Sequence, residues 1–141
     1  RGRAMTPADL ESIRSLDESA FGVVRGSLLA RLLNHGRGWL ADGRTTPHGF
    51  GLSRLGREAD YIGPIIAQNA ETAEAIVTNL LNALAGRQVY WDIPGGNPHA
   101  TALAERLGFT PRRDLTRMCL GTPTHTGQAE QVYAAAGFEL G

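Results

Sequence analysis

The most strongly patterned stretch of the chain runs from Ala59 to Leu84, ADYIGPIIAQNAETAEAIVTNLLNAL. Its first half, Ala59 to Ala67, is apolar without a helical period, which predicts a buried strand. In its second half Ala73, Ile76, Val77, Leu80, Leu81 and Leu84 recur at helical spacing and form one apolar stripe. Asn69 is placed to cap this helix, Glu71 and Glu74 sit in its positive first turn, and Gly86 stands where a left-handed C-terminal residue belongs. Val89 to Ile93 then reads as a short strand, which a right-handed crossover lays parallel to the first. One residue breaks the pattern. Pro64 has no N–H to donate and, beside Gly63, interrupts a regular ladder. Either the pair marks a bulge and a splay where pairing stops, or the strand lies at an edge that tolerates proline.

The remaining pattern fills in around this unit. Thr6-Pro7-Ala8-Asp9 is a helix start, with Leu10, Ile13 and Leu16 as a short apolar face. Leu28, Leu29, Leu32 and Leu33 mark a second helix that ends near Gly36. Gly38 to Ala41 and Phe50 to Arg54 are strand candidates that join the central strand in an antiparallel meander. Asn97-Pro98 opens a helix with apolar positions Ala100, Leu103, Ala104 and Leu107, closed by Gly108. Phe109 to Leu120 is expected to be extended, and Gln128 to Ala136 to be a final short helix.

Composition narrows the chemistry. The length suits one domain, 1–141, with a single sizeable core. No apolar run is long enough to span a membrane and no signal peptide is recognisable. Acidic and basic side chains balance at 14 each, so nucleic acid and membrane surfaces are not expected partners. All the basic residues are arginine, which removes Schiff-base lysine chemistry. Cys119 is the single cysteine, which fits a reducing cytoplasm, and the four histidines show no metal spacing, so no metal is expected. The chain opens at Arg1, which suggests a piece of a longer protein.

The order helix, helix, meander, helix, strand, helix, strand resembles the GNAT superfamily of acyl-CoA N-acyltransferases. The resemblance is carried by YIGPIIA, by the QNAETAEAIVTNLL helix and by VYWDIPGGNPHATALAERLGF. Trp39 to Gly121 looks most like the second domain of bacterial proteins with two GNAT domains in tandem. The fold class implied is α/β, a mostly antiparallel mixed sheet with a splayed parallel central pair. The resemblance further implies that Ile65, Ile66 and Ala67 present backbone groups to the pantetheine arm of acetyl-CoA. It implies that Gln68, Thr72 and Ala73 hold the pyrophosphate, and that Asn97 contacts the cofactor, although capping already explains that residue. Two positions depart from the family pattern. Glu71 replaces a glycine of the Gln/Arg-x-x-Gly-x-Gly/Ala loop, and a carboxylate there repels a diphosphate. Ala104 stands where many members carry the tyrosine that protonates the leaving thiolate. Tyr133 restores that spacing before Gly137, either as a substitute acid or as a packed aromatic.

Asp92, inside the predicted strand, is a candidate general base or a loop-capping carboxylate. His48 faces either a substrate or solvent, and Arg112, Arg113 and Arg117 form either an anion site or a solvated face. Arg87 is expected to be exposed and nearly neutral to truncation. The implied activity is acetyl transfer from acetyl-CoA to an amine of a small molecule or peptide. The alternative is a degenerate domain that packs against an active GNAT domain or pairs with itself.

Overall fold

The computed structural model describes residues 1–116, 118, 120–122 and 127–137. Strand β1 (Gly2–Ala4) leads into a single 3-10 turn (Pro7–Asp9) and helix α1 (Leu10–Phe21). Helix α2 (Gly26–His35) follows, then strands β2 (Gly36–Ala41), β3 (Gly49–Arg54) and β4 (Asp60–Ala67). Helix α3 (Ala70–Ala83), strand β5 (Val89–Trp91), helix α4 (Pro98–Arg106), a 3-10 turn (Ala129–Gln131) and strand β6 (Val132–Ala134) are the remaining elements among the described residues. The strands form one six-stranded sheet in the order β1-β2-β3-β4-β5, with β6 also paired to β4. All pairs are antiparallel except β4 with β5. This is the mixed sheet with one parallel pair that the pattern predicts.

The sheet carries helices on both faces because its strands alternate. On one face α3 and α4 cover Ile62, Ile65 and Ala67, and the stripe residues Ala73, Ile76, Val77 and Leu80 are all buried there. On the other face α1 and α2 cover Leu40, Phe50, Leu52 and Ile66 with Ile13, Ala20, Leu29 and Leu32. Neighbouring residues Ile65 and Ile66 thus belong to different clusters, as a period of two requires. Gly51 lets α3 sit close to the sheet, since a Cβ there would lie 2.5 Å from Ile76 Cγ2 and 3.0 Å from Leu80 Cδ1.

Caps behave as their residues dictate. Asn69 accepts from the Thr72 N–H at 2.9 Å, and Asn97 accepts from His99 and Ala100. Asp9 does more than favour a helix dipole. Its carboxylate accepts from the Thr6 N–H and from Arg3 through two bonds of 2.9 and 2.6 Å, which ties β1 to the helical layer. Those bonds, Arg3 first, hold the Asp9 carboxyl well below the usual carboxylate range. Asp17 and Arg25 form a buried pair across the α1–α2 turn, with Arg25 stacked 3.7 Å from the Phe21 ring centroid.

Asp60 fixes where the parallel pair begins. It is fully buried at the first position of β4 and accepts from Arg87 Nε at 2.5 Å and from the Gly56 N–H at 3.2 Å. Arg87 therefore reaches back from the approach to β5 and closes the start of the crossover. Arg87 is exposed as expected, and its pairing with a buried carboxylate, which the sequence did not show, argues against a neutral truncation.

Two other expectations change. Residues 128–136 do not form a helix: they form a 3-10 turn and then β6, because backbone pairing to β4 outweighs the helix propensity of the Ala run. No helix or strand is found at 109–116, and the rest of the segment expected to be extended lies partly outside the described residues. Strand β1 carries no hydrophobic pattern of its own, being exposed throughout, and forms only because β2 offers an edge.

Leu80→Ala should lower the unfolding free energy by about 2–5 kcal/mol, since Leu80 is 2% exposed. Leu81→Ala, at a half-buried position on the rim of the stripe, should cost less than half as much; urea denaturation of the two variants compares them directly. Asp60 gives a pH dependence of known sign. Its pKa is lowered by the Arg87 hydrogen bond, against the opposing effect of burial. Its contribution is therefore complete above about pH 4, the unfolded value, and is lost as pH falls through the lower folded value. Arg87→Ala should lower the stability at neutral pH, because it leaves the buried Asp60 carboxylate without its charge partner, and should start the acid decline at a higher pH. Urea midpoints across pH 3–7 test this, and identical profiles for the two chains would contradict it.

Candidate functional site

The sheet forks at Gly63-Pro64. Asp60, Tyr61 and Ile62 pair in parallel with Val89, Tyr90 and Trp91, and pairing to β5 stops there. On the other side of β4 the register to β3 shifts at the same point: Ile62 faces Ser53 and Ile65 faces Gly51. Two residues, Gly63 and Pro64, thus oppose the single Leu52, which is a bulge. Gly63 has φ +141°, a conformation that glycine adopts readily and other residues rarely do, and the Gly63-Pro64 peptide is cis. The proline that breaks the strand pattern marks a splay inside the sheet, and the edge-strand alternative is set aside.

A fork of this kind would leave the β4 edge beyond Pro64 open. The chain fills it with its own C-terminal segment. Ile65 pairs with Ala134 and Ile66 with Val132, antiparallel. On the far side the Ala135 N–H donates to the Asp92 carbonyl at 2.8 Å, so the segment bridges both arms of the fork. Three side chains grip it from outside, and Gln128 of the segment itself adds contacts to α1. Asn97 Nδ2 donates to the Glu130 and Val132 carbonyls at 2.9 and 3.1 Å. Trp91 Nε1 donates to the Tyr133 carbonyl at 2.8 Å, and Arg54 Nη1 donates to the Ala136 carbonyl. Gln128 bonds Ser19 through its side chain and the Ala20 carbonyl through its N–H. The fit at the bulge is close, since a Cβ on Gly63 would meet the Ala135 carbonyl oxygen at 2.0 Å.

The residues singled out in the sequence fall into three places. Ile65, Ile66 and Ala67 line the fork and are fully buried, with Ile65 and Ile66 paired to β6. Gln68, Thr72 and Ala73 surround the start of α3. The Gln68 N–H goes to the His48 carbonyl at 3.0 Å, that of Thr72 to Asn69 Oδ1, and that of Ala73 to the Asn69 carbonyl at 3.1 Å. Ala70 and Glu71 are the first two residues of α3, where N–H groups have no intrahelical partner, and the exposed Glu71 carboxylate lies on the same turn. Glu74 is drawn aside to Arg106 at 2.7 Å. Asn97 is 1% exposed, and its side chain both caps α4 and clamps the C-terminal segment.

Tyr133 does not sit on a helix. It lies in β6, is 1% exposed, and burial pushes its phenol up while an Asn97 hydrogen bond partly offsets this. The phenol thus keeps its proton at neutral pH but is walled off from solvent. Asp92 lies just past β5, half-buried, with its carbonyl rather than its carboxylate engaged by the segment. Ala104 is 6% exposed on the inner face of α4. His35, His48, His99, Arg112 and Arg113 are exposed and do not gather at the fork, and no metal-binding group occurs among the described residues. Arg117, Cys119 and His125 lie outside the described residues. No helix among the described residues is long and apolar enough to cross a membrane. The sequence reading missed Trp91 Nε1, Arg54 and Asn97 Nδ2 as clamps, because nothing local to them says where the tail will run.

The fold has known counterparts. A Thermus thermophilus protein, TTHA1254 in a mutant form, superposes with a TM-score of 0.66 at 20% identity, covering 87% of this chain and 99% of that one. A ribosomal-protein-alanine N-acetyltransferase from Brucella melitensis biovar Abortus 2308 gives 0.66 at 14% identity, covering 85% and 99%. An aminoglycoside N-acetyltransferase, AAC(6')-Iy, solved in complex with CoA, gives 0.65 at 13%, covering 86% and 95%. At these identities the likeness is one of fold. No curated protein sequence matches the chain. The acetyltransferase (GNAT) domain family matches across residues 13–134, nearly the whole of the sheet and its helices, and the chain belongs to that family.

Proposed function

We propose that this chain is an N-acetyltransferase that takes its acetyl group from acetyl-CoA and passes it to an amine of a small molecule or peptide. The observation that carries this is the fork at Gly63-Pro64, where a parallel pair separates inside a GNAT domain and creates a slot for an extended ligand beside β4. Ile65, Ile66 and Ala67 would line the pantetheine, and the Gln68–Ala73 turn would face the diphosphate. The slot does not fit acetyl-CoA in the form described, because β6 already holds the β4 edge. No chemical step is therefore routed through the cofactor.

A second reading has its own support. β6 in the fork, the Glu71 carboxylate at the start of α3 and Ala104 in place of an acid all favour a domain that has lost the cofactor. Such a domain would serve as a packing partner of an active GNAT domain in a tandem protein, or of a second copy.

Purified chain, radiolabelled acetyl-CoA and a panel of amino sugars, polyamines and peptides separate the two readings. The enzyme reading expects amine-dependent release of CoA thiol, and the second expects none with any acceptor. Glu71→Gly should in addition tighten acetyl-CoA binding at least about tenfold, or about 1.4 kcal/mol, which is the order that one charge near a diphosphate contributes in partly exposed surroundings. Calorimetric titration of both chains reads this, and weaker binding by the glycine variant would show that Glu71 is no obstacle.

A further inference from the structure

We propose that residues 127–137 are a displaceable strap that competes with acetyl-CoA for the inner edge of β4, so that the cofactor binds only a form in which the strap has left the fork. The proposal rests on the acetyl-CoA reading above.

Three observations carry it. The strap occupies the slot itself and not its entrance: it pairs with Ile65 and Ile66 on one arm of the fork and bonds Asp92 on the other. An extended pantetheine arm, with its two amide groups, would need the same β4 edge, so strap and ligand exclude one another. β6 is a strand of only 3 residues and, among the described strands, pairs with β4 alone. Residues 110–116, which lead towards it from α4, are exposed and belong to no helix or strand. Its release therefore unpairs none of the other described strands from one another. Finally, it is gripped from outside through its carbonyls, by Asn97, Trp91 and Arg54. Side-chain donors of that kind can let go of one set of carbonyls and take another, or water, with no rearrangement of the main chain of α4, β5 or β3.

Competition has a thermodynamic consequence. The apparent dissociation constant equals the intrinsic one divided by the fraction of molecules with the strap out. Changes within the strap that weaken its docking, and leave every residue lining the fork in place, must tighten acetyl-CoA binding.

Val132→Asp combined with Ala135→Pro does this. Val132 is 6% exposed and packs with the α1–α2 cluster, so a carboxylate there is expelled, and proline removes the N–H that Ala135 gives to Asp92. Calorimetric titration with acetyl-CoA should show at least about tenfold tighter binding than wild type, as expected for at least a tenfold rise in the strap-out fraction. Hydrogen exchange of the full wild-type chain needs no variant to fold. Saturating acetyl-CoA should speed exchange across residues 128–137 while the β3–β4 ladder stays protected. If wild-type chain binds acetyl-CoA with 128–137 as protected as before, and the double variant gains nothing, the strap does not compete and the acetyl-CoA reading stands without it. If exchange shows the strap released in the variant and neither chain binds, the acetyl-CoA reading falls, and the competition falls with it.

Discussion

The structure depends on one constraint: the inner edge of β4 beyond Pro64 cannot be left unpaired. Ile65, Ile66 and Ala67 are fully buried between two helical layers, and buried main-chain groups must find partners. The bulge at Gly63-Pro64 makes the gap by separating β4 from β5. β6 closes it, and in closing it joins the two halves of the core. Tyr133 and Ala134 enter the α3–α4 cluster, and Val132 and Ala136 enter the α1–α2 cluster.

Magnitudes bear on whether that closure is permanent. A large apolar side chain contributes about 1.5–3 kcal/mol when fully buried, and the strap has two of them, Val132 and Tyr133. Each hydrogen bond to its carbonyls adds only about 0.5–1.5 kcal/mol net, since water replaces it when the strap leaves. The total, about 5–12 kcal/mol as an upper estimate, is of the same order as the roughly 8 kcal/mol of a micromolar ligand.

The sequence was legible wherever a signal was local. The α3 stripe, the Asn69 and Asn97 caps, the meander and the parallel pair follow from periodicity and capping, and each is found. Pro64 flagged the fork because proline in an apolar run contradicts its surroundings. What could not be read was long-range. The run from Gln128 to Ala136 favours a helix by composition, and only β4, distant in sequence, makes part of it a strand. Asp60 and Arg87 were similarly opaque. Neither looks unusual in its own neighbourhood, and their pairing exists because the crossover brings the start of β4 beside the approach to β5. Asn97 carried a capping signal that was correct but incomplete, since its Nδ2 finds partners in the strap.

Whether the chain's own terminus fills the fork is tested most directly by cross-strand nuclear Overhauser contacts in the isolated chain. A filled fork requires contacts between Ile65 and Ala134 and between Ile66 and Val132, together with a slowly exchanging Ala135 amide. Contacts between Phe50 and Ile66 across β3–β4 serve as the internal reference. If the reference contacts are present while those to Val132 and Ala134 are missing and the Ala135 amide exchanges freely, the fork is open in solution and the terminus does not close it.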